Sequence, residues 1–289
     1  MVGKIIMSKT FIRWAGGKGK LIPQLKQFIP KEYNTYIEPF LGGGSMFFYL
    51  KPTDSFLSDI NEELINLYRV LRNNVEELIG DLKTHKNESE YYYQCRDYDR
   101  GSMYHKWTDI ERASRTLYLN KTCWNGLYRV NSSGYFNVPF GDRKNPMIVD
   151  EDRLRECSKA LQNATIAVGG YESILDTHKF VSEEDFVYLD PPYAPVKEDS
   201  FTSYTKEDFG KENQIELKRM CDKLNMNGVY FMLSNSAAPF ILKLYDKYFI
   251  NIIQAPRYIN SDGNNRGNVE EVVITNYSTE KELKDFWEI

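Results

Sequence analysis

The chain has 289 residues, 42% of them hydrophobic and 27% charged, with 37 Lys and Arg against 41 Asp and Glu for a net charge of −4. That balance excludes a disordered or fibrous protein, and no apolar run approaches the roughly 20 residues that span a bilayer. Met1–Thr10 lack the apolar stretch of a signal peptide, so a cytoplasmic protein is expected.

Cys95, Cys123, Cys157 and Cys221 lie far apart with no CxxC pair, and His85, His105 and His178 are equally scattered. That spacing argues against a disulfide framework and a zinc site, so no metal is expected. The acidic total hides an asymmetry: residues 1–36 carry a net +6, leaving −10 for the remainder. A basic face on an acidic body suits phosphate binding. A solvated lysine-rich surface would look the same, and charge alone does not decide.

In chain order, the first strand is expected at Thr35–Ile37, running through Glu38-Pro39-Phe40-Leu41 into Gly42-Gly43-Gly44 and a helix start at Met46–Leu50. Glycine lets a backbone turn sharply and approach a ligand closely, at the sheet edge where doubly wound folds bind cofactors. The dinucleotide fingerprint fits poorly, because Phe47 stands where its third glycine belongs, which disfavours a dehydrogenase. A phosphate-binding P-loop fits no better: Leu21 follows Gly19-Lys20, and Trp14 replaces the first glycine. The second strand, Ser55–Leu57, leads to Asp59, an acid suited to hydrogen-bonding ribose hydroxyls. A nucleoside cofactor without a pyrophosphate suits this pairing better than NAD or ATP, and S-adenosylmethionine is the obvious candidate. The structural alternative is a tight turn and an N-cap acid.

Leu64, Leu67, Leu71, Val75, Leu78 and Leu82 form one apolar stripe, predicting a helix over Asn61–Leu82. A second helix is expected over Thr108–Asn120, then a turn-rich stretch, Cys123–Pro146. A plain crossover needs far fewer residues, so residues 62–149 are expected to form an inserted module. Its tyrosines Tyr91, Tyr92, Tyr93, Tyr98 and Tyr104 are read as core and helix-packing residues rather than base-stacking ones. Strands resume at Thr165–Val168, Phe186–Leu189, Val229–Leu233, Ile250–Ile253 and Val272–Thr275. Several are nearly all apolar, as strands buried on both faces should be. Strands alternating with helices imply an α/β fold with a largely parallel sheet.

Strand Phe186–Leu189 delivers Asp190-Pro191-Pro192-Tyr193 to its carboxyl end. Proline cannot donate to a sheet ladder, so the strand must stop there. The Asp190 carboxylate and Pro191 carbonyl make an acceptor pair beside the flat Tyr193 ring. An exocyclic amino group on a planar heterocycle would satisfy all three; an abrupt strand end with a surface tyrosine is the bland alternative.

With both segments in hand, the chain resembles the N6-adenine DNA methyltransferases, closest to the Dam-type enzymes that modify GATC, including the Dpn-type methylases. The resemblance covers nearly the whole chain in the family's order. Phe11–Lys18, Glu38–Ser45 and Asp59–Asn61 come first, then Trp124–Arg129 and Phe136–Gly141, and finally Asp190–Pro195 and Phe201–Tyr204. It implies a Rossmann-like methyltransferase sheet, formed by residues 1–61 and 150–289, with an inserted, mainly helical DNA-recognition module at 62–149 carrying a β-hairpin. It implies transfer of a methyl group from S-adenosylmethionine to N6 of a flipped adenine in double-stranded DNA, leaving S-adenosylhomocysteine. Cofactor contacts are implied for Trp14, Lys18, Phe40, Gly42, Gly44, Asp59, Tyr171 and Asp190. Asp190, Pro191, Pro192 and Tyr193 are implied to be catalytic. Arg129 would read a guanine edge, Leu127 and Pro139 would touch thymine methyls, and Trp124 or Asn125 would fill the gap left by flipping. Arg13 stands where relatives place a basic residue near the first guanine. Relatives commonly carry an Arg directly after Gly141; here Asp142 intervenes before Arg143 and Lys144, and some relatives have an acid where this chain has Gly170. Ser261–Asn268 reads as a loop near DNA or as a plain surface turn. A monomer is expected, with a restriction endonuclease as a possible functional partner.

A cytosine-C5 methyltransferase needs a cysteine nucleophile, usually as Pro-Cys, and none of the four cysteines follows a proline. A methyltransferase acting on another amino group, cytosine N4 or RNA, more often carries Ser or Asn at position 190. A catalytically silent DNA-binding relative is disfavoured by the intact Asp190–Tyr193 tetrapeptide.

Overall fold

The computed structural model describes residues 10–172, 181–196, 209–256 and 268–279. Expectations placed on Met1–Lys9, Phe201–Tyr204 and positions 261–267 lie outside the described residues. Seven strands form one sheet in the order β3-β2-β1-β4-β5-β7-β6. They are β1 Tyr36–Glu38, β2 Ser55–Asp59, β3 Ala164–Val168, β4 Phe186–Leu189, β5 Tyr230–Ser236, β6 Phe249–Pro256 and β7 Asn268–Thr275. The expected Rossmann-like α/β fold is present. The backbone divides into two compact units: Met1–Lys20, Leu41–Thr53 and Leu57–Val168 make one, Leu21–Phe40, Asp54–Phe56 and Gly169–Ile289 the other.

The second unit holds most of the sheet. β1 pairs parallel with β4 (Tyr36 opposite Phe186), and β4 pairs parallel with β5 in register from Phe186–Tyr230 to Leu189–Leu233. β7 runs antiparallel between β5 and β6. All four residues of β4 are buried, which is why Phe-Val-Tyr-Leu reads as a continuous apolar run rather than an alternating one. Helix α8 (Lys211–Met226) buries Leu217, Met220, Cys221 and Leu224 along one stripe.

The first unit is mainly helical. The stripe read as one helix from Asn61 is two: α3 (Glu62–Asn73) and α4 (Val75–Leu82). Asn74 between them leaves the helical region with φ −137° and ψ 43°, yet Leu71, Leu78 and Leu82 stay buried on either side. The Asn61 side chain caps α3 by accepting the Leu64 N–H at 2.9 Å. Helix α6 (Asp109–Thr122) begins with a capping box, Thr108 and Glu111 each bonding the other's backbone. Its residues 113–120 are all buried. The polar ones find partners: Arg115 donates to the Cys95 carbonyl at 2.7 Å and the Arg96 carbonyl at 2.6 Å. Among the module's tyrosines, Tyr92 is core, while Tyr93 and Tyr98 are exposed. No helix among the described residues is long and apolar enough to cross a membrane.

Candidate active site

In the first unit, the chain turns through Gly42–Gly44 into helix α2 (Ser45–Leu50). Gly42 and Gly44 have φ of 47° and 63°, and each lies against a ring. A Cβ on Gly42 would sit 2.8 Å from Trp14 Cδ1, and one on Gly44 2.7 Å from the Tyr68 hydroxyl. Glycine is therefore required by both backbone and packing. Asp59, at the carboxyl end of β2, accepts the Gly42 N–H at 3.0 Å and the Asn61 N–H at 2.9 Å. A carboxylate offers about four lone-pair sites, so two backbone bonds fix its plane and leave capacity for a diol. Burial raises the Asp59 pKa, opposed by these backbone N–H groups, which favour the charged form. Lys18 is buried, its ammonium donating to the Gly16 carbonyl at 2.7 Å. Ile60, beside Asp59, is 77% exposed, a large apolar surface next to a cradle of this kind. Trp14, Lys18, Gly42, Gly44 and Asp59 thus lie on two adjoining turns of one unit.

In the second unit, β4 ends at Asp190-Pro191-Pro192-Tyr193. Pro191 is buried, Asp190 and Tyr193 half-buried, and Pro192 exposed. Two buried amides hold this corner. Gln214 of α8 donates to the Pro192 carbonyl at 2.9 Å, and Asn235 of β5 donates to Gln214 Oε1 at 3.1 Å. Asn235 Oδ1 accepts the Ala194 N–H at 3.1 Å, and the Ser236 hydroxyl donates to the Ala194 carbonyl at 2.6 Å. The Tyr193 hydroxyl donates to Glu271 Oε2 at 2.9 Å, which fixes the ring. Burial pushes the Tyr193 phenol well above its ordinary range, with the Asp190 and Glu271 carboxylates adding to it, so it stays a protonated donor. Nearby, Phe40 and Tyr171 stack at 5.5 Å, and Phe209 meets both rings edge-on.

The segment from Cys123 to Gly141 folds back on itself in the first unit, but not as a regular two-stranded ladder. Two isolated antiparallel bridges, Cys123–Phe140 and Val130–Phe136, mark its base and tip. Gly126, at φ 66°, bends one arm, and Pro139 has no N–H to offer. Outward lie the exposed Trp124, Asn125, Arg129 and Pro139, with Leu127 half-buried. The Arg129 guanidinium donates to Asn137 Oδ1 at 2.7 Å. Arg13 is exposed; its backbone N–H and C=O are both bonded to the Asn120 side chain, which also donates to the Gly126 carbonyl. The Asp99 carboxylate, paired with buried Arg115 at 2.9 Å, accepts the Phe136 N–H at 2.8 Å. Arg143, one place later than the basic residue expected after Gly141, donates to the Lys121 and Cys123 carbonyls at the segment's base.

A model of the D12 class N6 adenine-specific DNA methyltransferases matches residues 14–259. The chain is 42% identical to the type II methyltransferase M1.LlaDCHI of Lactococcus lactis subsp. cremoris over 93% of its own length and 95% of that protein's. It is 43% identical to the type II methyltransferase M.MjaIII of Methanocaldococcus jannaschii, covering 93% and 99%. The DNA adenine methylase of Escherichia coli (strain K12) matches at 32% identity, covering 92% and 94%. The chain belongs to the D12 class of adenine-specific DNA methyltransferases.

Several residues of this methyltransferase carry positions that sequence reading left unassigned. Gln214 and Asn235 are fully buried amides. Asn235 had a visible signal, a polar Ser-Asn-Ser triplet closing the apolar run Tyr230–Leu233, whereas Gln214 lies on an ordinary amphipathic helix. Glu271, Phe209 and Ile60 were equally unassigned. Among the described residues no group of three His, Cys, Asp or Glu side chains could hold a metal.

Proposed function

We propose that this DNA methyltransferase moves a methyl group from S-adenosylmethionine to N6 of an adenine flipped out of duplex DNA, within GATC, and releases S-adenosylhomocysteine. The observation that carries the reading is the corner after β4, where Gln214 and Asn235 tie the backbone of Pro192 and Ala194 and Glu271 ties Tyr193. Such a corner presents the Asp190 carboxylate and the Pro191 carbonyl as fixed acceptors.

The N6 lone pair of adenine is delocalised into its ring and is a poor nucleophile. Accepting its two N–H bonds at Asp190 and Pro191 favours a pyramidal nitrogen and frees the pair. Asp190 also stabilises positive charge as it develops on N6. Tyr193 stacks on the extruded base, offsetting part of an unpairing cost of a few kcal/mol, and Pro192 holds the backbone extended. S-adenosylmethionine, when bound, supplies a methyl activated by sulfonium charge, so the reaction needs no metal. The Gly42–Gly44 turn and Asp59 suit a nucleoside, with Trp14, Lys18, Phe40, Tyr171 and Asp190 as further cofactor contacts. Residues 1–61 and 150–289 form the catalytic domain and 62–149 the recognition domain. Arg13 and Arg129 read guanines, Leu127 and Pro139 touch thymine methyls, and Trp124 or Asn125 fills the vacated stack. The type II methyltransferases among the relatives favour a working partnership with a restriction endonuclease, and the enzyme acts as a cytoplasmic monomer.

Methylation of random-sequence duplex DNA, mapped at single-base resolution, tests the reading. N6-methyladenine confined to GATC is expected; modified cytosine, or methylation with no sequence preference, contradicts it.

A further inference from the structure

Between Leu127 and Arg129, two of the hairpin residues proposed to touch bases, stands Tyr128. Its ring stacks on Trp14, with centroids 5.0 Å apart and planes 26° from parallel. It also meets Phe136 in a T-shaped contact at 5.7 Å, the residue whose N–H is held by Asp99. Tyr128 is thus held by Trp14, which packs against the glycine turn, and by the second arm of the hairpin.

Trp14 leads directly to the cofactor cradle. Trp14 lies so close to Gly42 that a single added carbon there would meet its ring at 2.8 Å. The Gly42 N–H and the Asn61 N–H are the two donors that orient the Asp59 carboxylate. The turn, Trp14 and Tyr128 therefore form one packed series, and packed side chains transmit displacements because they leave no slack.

We propose that Tyr128 is a positioning residue that couples cofactor occupancy to target discrimination, its ring transmitting the state of the Gly42–Asp59 cradle to the hairpin arm bearing Leu127 and Arg129. The inference rests on the proposed function of both sites. A nucleoside on Asp59 immobilises the turn, Trp14 is held against it, and the face it offers fixes the plane of Tyr128. Neighbours in an extended segment point to opposite sides, so fixing Tyr128 inward sets the outward register of Leu127 and Arg129. Arg129 rests on Asn137 in the free protein; on DNA those donors turn to a base edge, and only a hairpin in the right register makes the exchange favourable. The coupling is reciprocal: a matched DNA site tightens the cofactor by the same factor.

The test uses the full chain, S-adenosylhomocysteine as an unreactive probe, and fluorescent duplexes with and without the methylated site found by random-sequence mapping. In the parent protein, saturating S-adenosylhomocysteine is expected to tighten the site-bearing duplex about tenfold and the control duplex by less than about twofold. Tyr128→Leu should bring the site-bearing duplex within about twofold of its cofactor-free affinity, while Tyr128→Phe, which keeps the ring, retains most of the gain. A merely structural Tyr128 would lower thermal stability in the leucine variant and leave the tightening intact, which overturns the inference. So does a parent protein that binds the probe and methylates its site yet shows no tightening, whatever the variants do. If the parent neither binds the probe nor methylates DNA, the proposed function fails and the inference with it.

Discussion

The corner after β4 and the hairpin at 123–141 both carry proposed contacts to DNA, and they are built in opposite ways. At the corner, backbone groups of Pro192 and Ala194 are taken by two buried amides and a buried hydroxyl from two separate elements: Gln214 on the Pro192 carbonyl, Asn235 on the Ala194 N–H, Ser236 on the Ala194 carbonyl. The hairpin has two isolated bridges, an exposed Asn131–Gly134 tip and an exposed Trp124. On the proposed function, stiffness sits where a reacting nitrogen must be placed to a fraction of an ångström. The proposed recognition surface is instead held by few ladder bonds, as suits a surface that moulds to a duplex. The hairpin is still anchored, at Phe136 by Asp99 and at Val138 by the Tyr92 hydroxyl at 2.8 Å, so what remains free is its outward face.

The largest effect is expected at the corner. Asn235→Leu removes one amide and strands the Ala194 N–H and Gln214 Oε1. An unsatisfied buried group costs about 1–3 kcal/mol, and displacement of Asp190 should lower kcat about a hundredfold. Single-turnover rates and denaturant titration measure the two effects; a variant with parental kcat would show that the amides hold only the fold. The hairpin should respond differently. Arg129→Ala is expected to relax discrimination at one base pair by about 1–3 kcal/mol while leaving the unfolding midpoint unchanged, read by competition between matched and single-mismatch duplexes. Unchanged discrimination would remove Arg129 from the recognition surface.

A smaller effect separates the helical support from both. His85 stacks on Tyr118 at 4.3 Å and lies between the Tyr91 and Ser114 hydroxyls. Burial lowers its pKa, with Asp81 opposing. The unfolded chain therefore takes up the proton first, so His85 contributes stability that is complete above an ordinary histidine pKa of about 6.5 and is lost as pH falls through the depressed value. Denaturation midpoints between pH about 7.5 and 5 should decline, and His85→Gln should flatten that decline. An equal slope in the variant would assign the acid sensitivity to other groups.

The strands were legible because burial on both faces leaves an unmistakable run, Phe186–Leu189 being the clearest. The break at Asn74 was not: Leu71, Val75 and Leu78 keep helical spacing across it, so periodicity continues while the backbone does not. The glycine turn, Asp59 and Asp190–Tyr193 could be read because each is a local pattern at a strand end. Gln214, Glu271 and Tyr128 could not, since their partners lie 22, 78 and more than a hundred residues away and no local signal announces a long-range bond. The hairpin's turn was visible in Ser132-Ser133-Gly134, but not that Gly126 and Pro139 would prevent a regular ladder.

Asp190 and the identity of the methylated base are tested together by following the label. The enzyme is incubated with methyl-labelled S-adenosylmethionine and duplex DNA, the DNA is digested to nucleosides, and the products are identified for the parent protein and for Asp190→Ala. N6-methyldeoxyadenosine is expected from the parent, with a loss of at least about a thousandfold in the folded variant. Label on another base, or near-parental turnover without the Asp190 carboxylate, would contradict the proposed function.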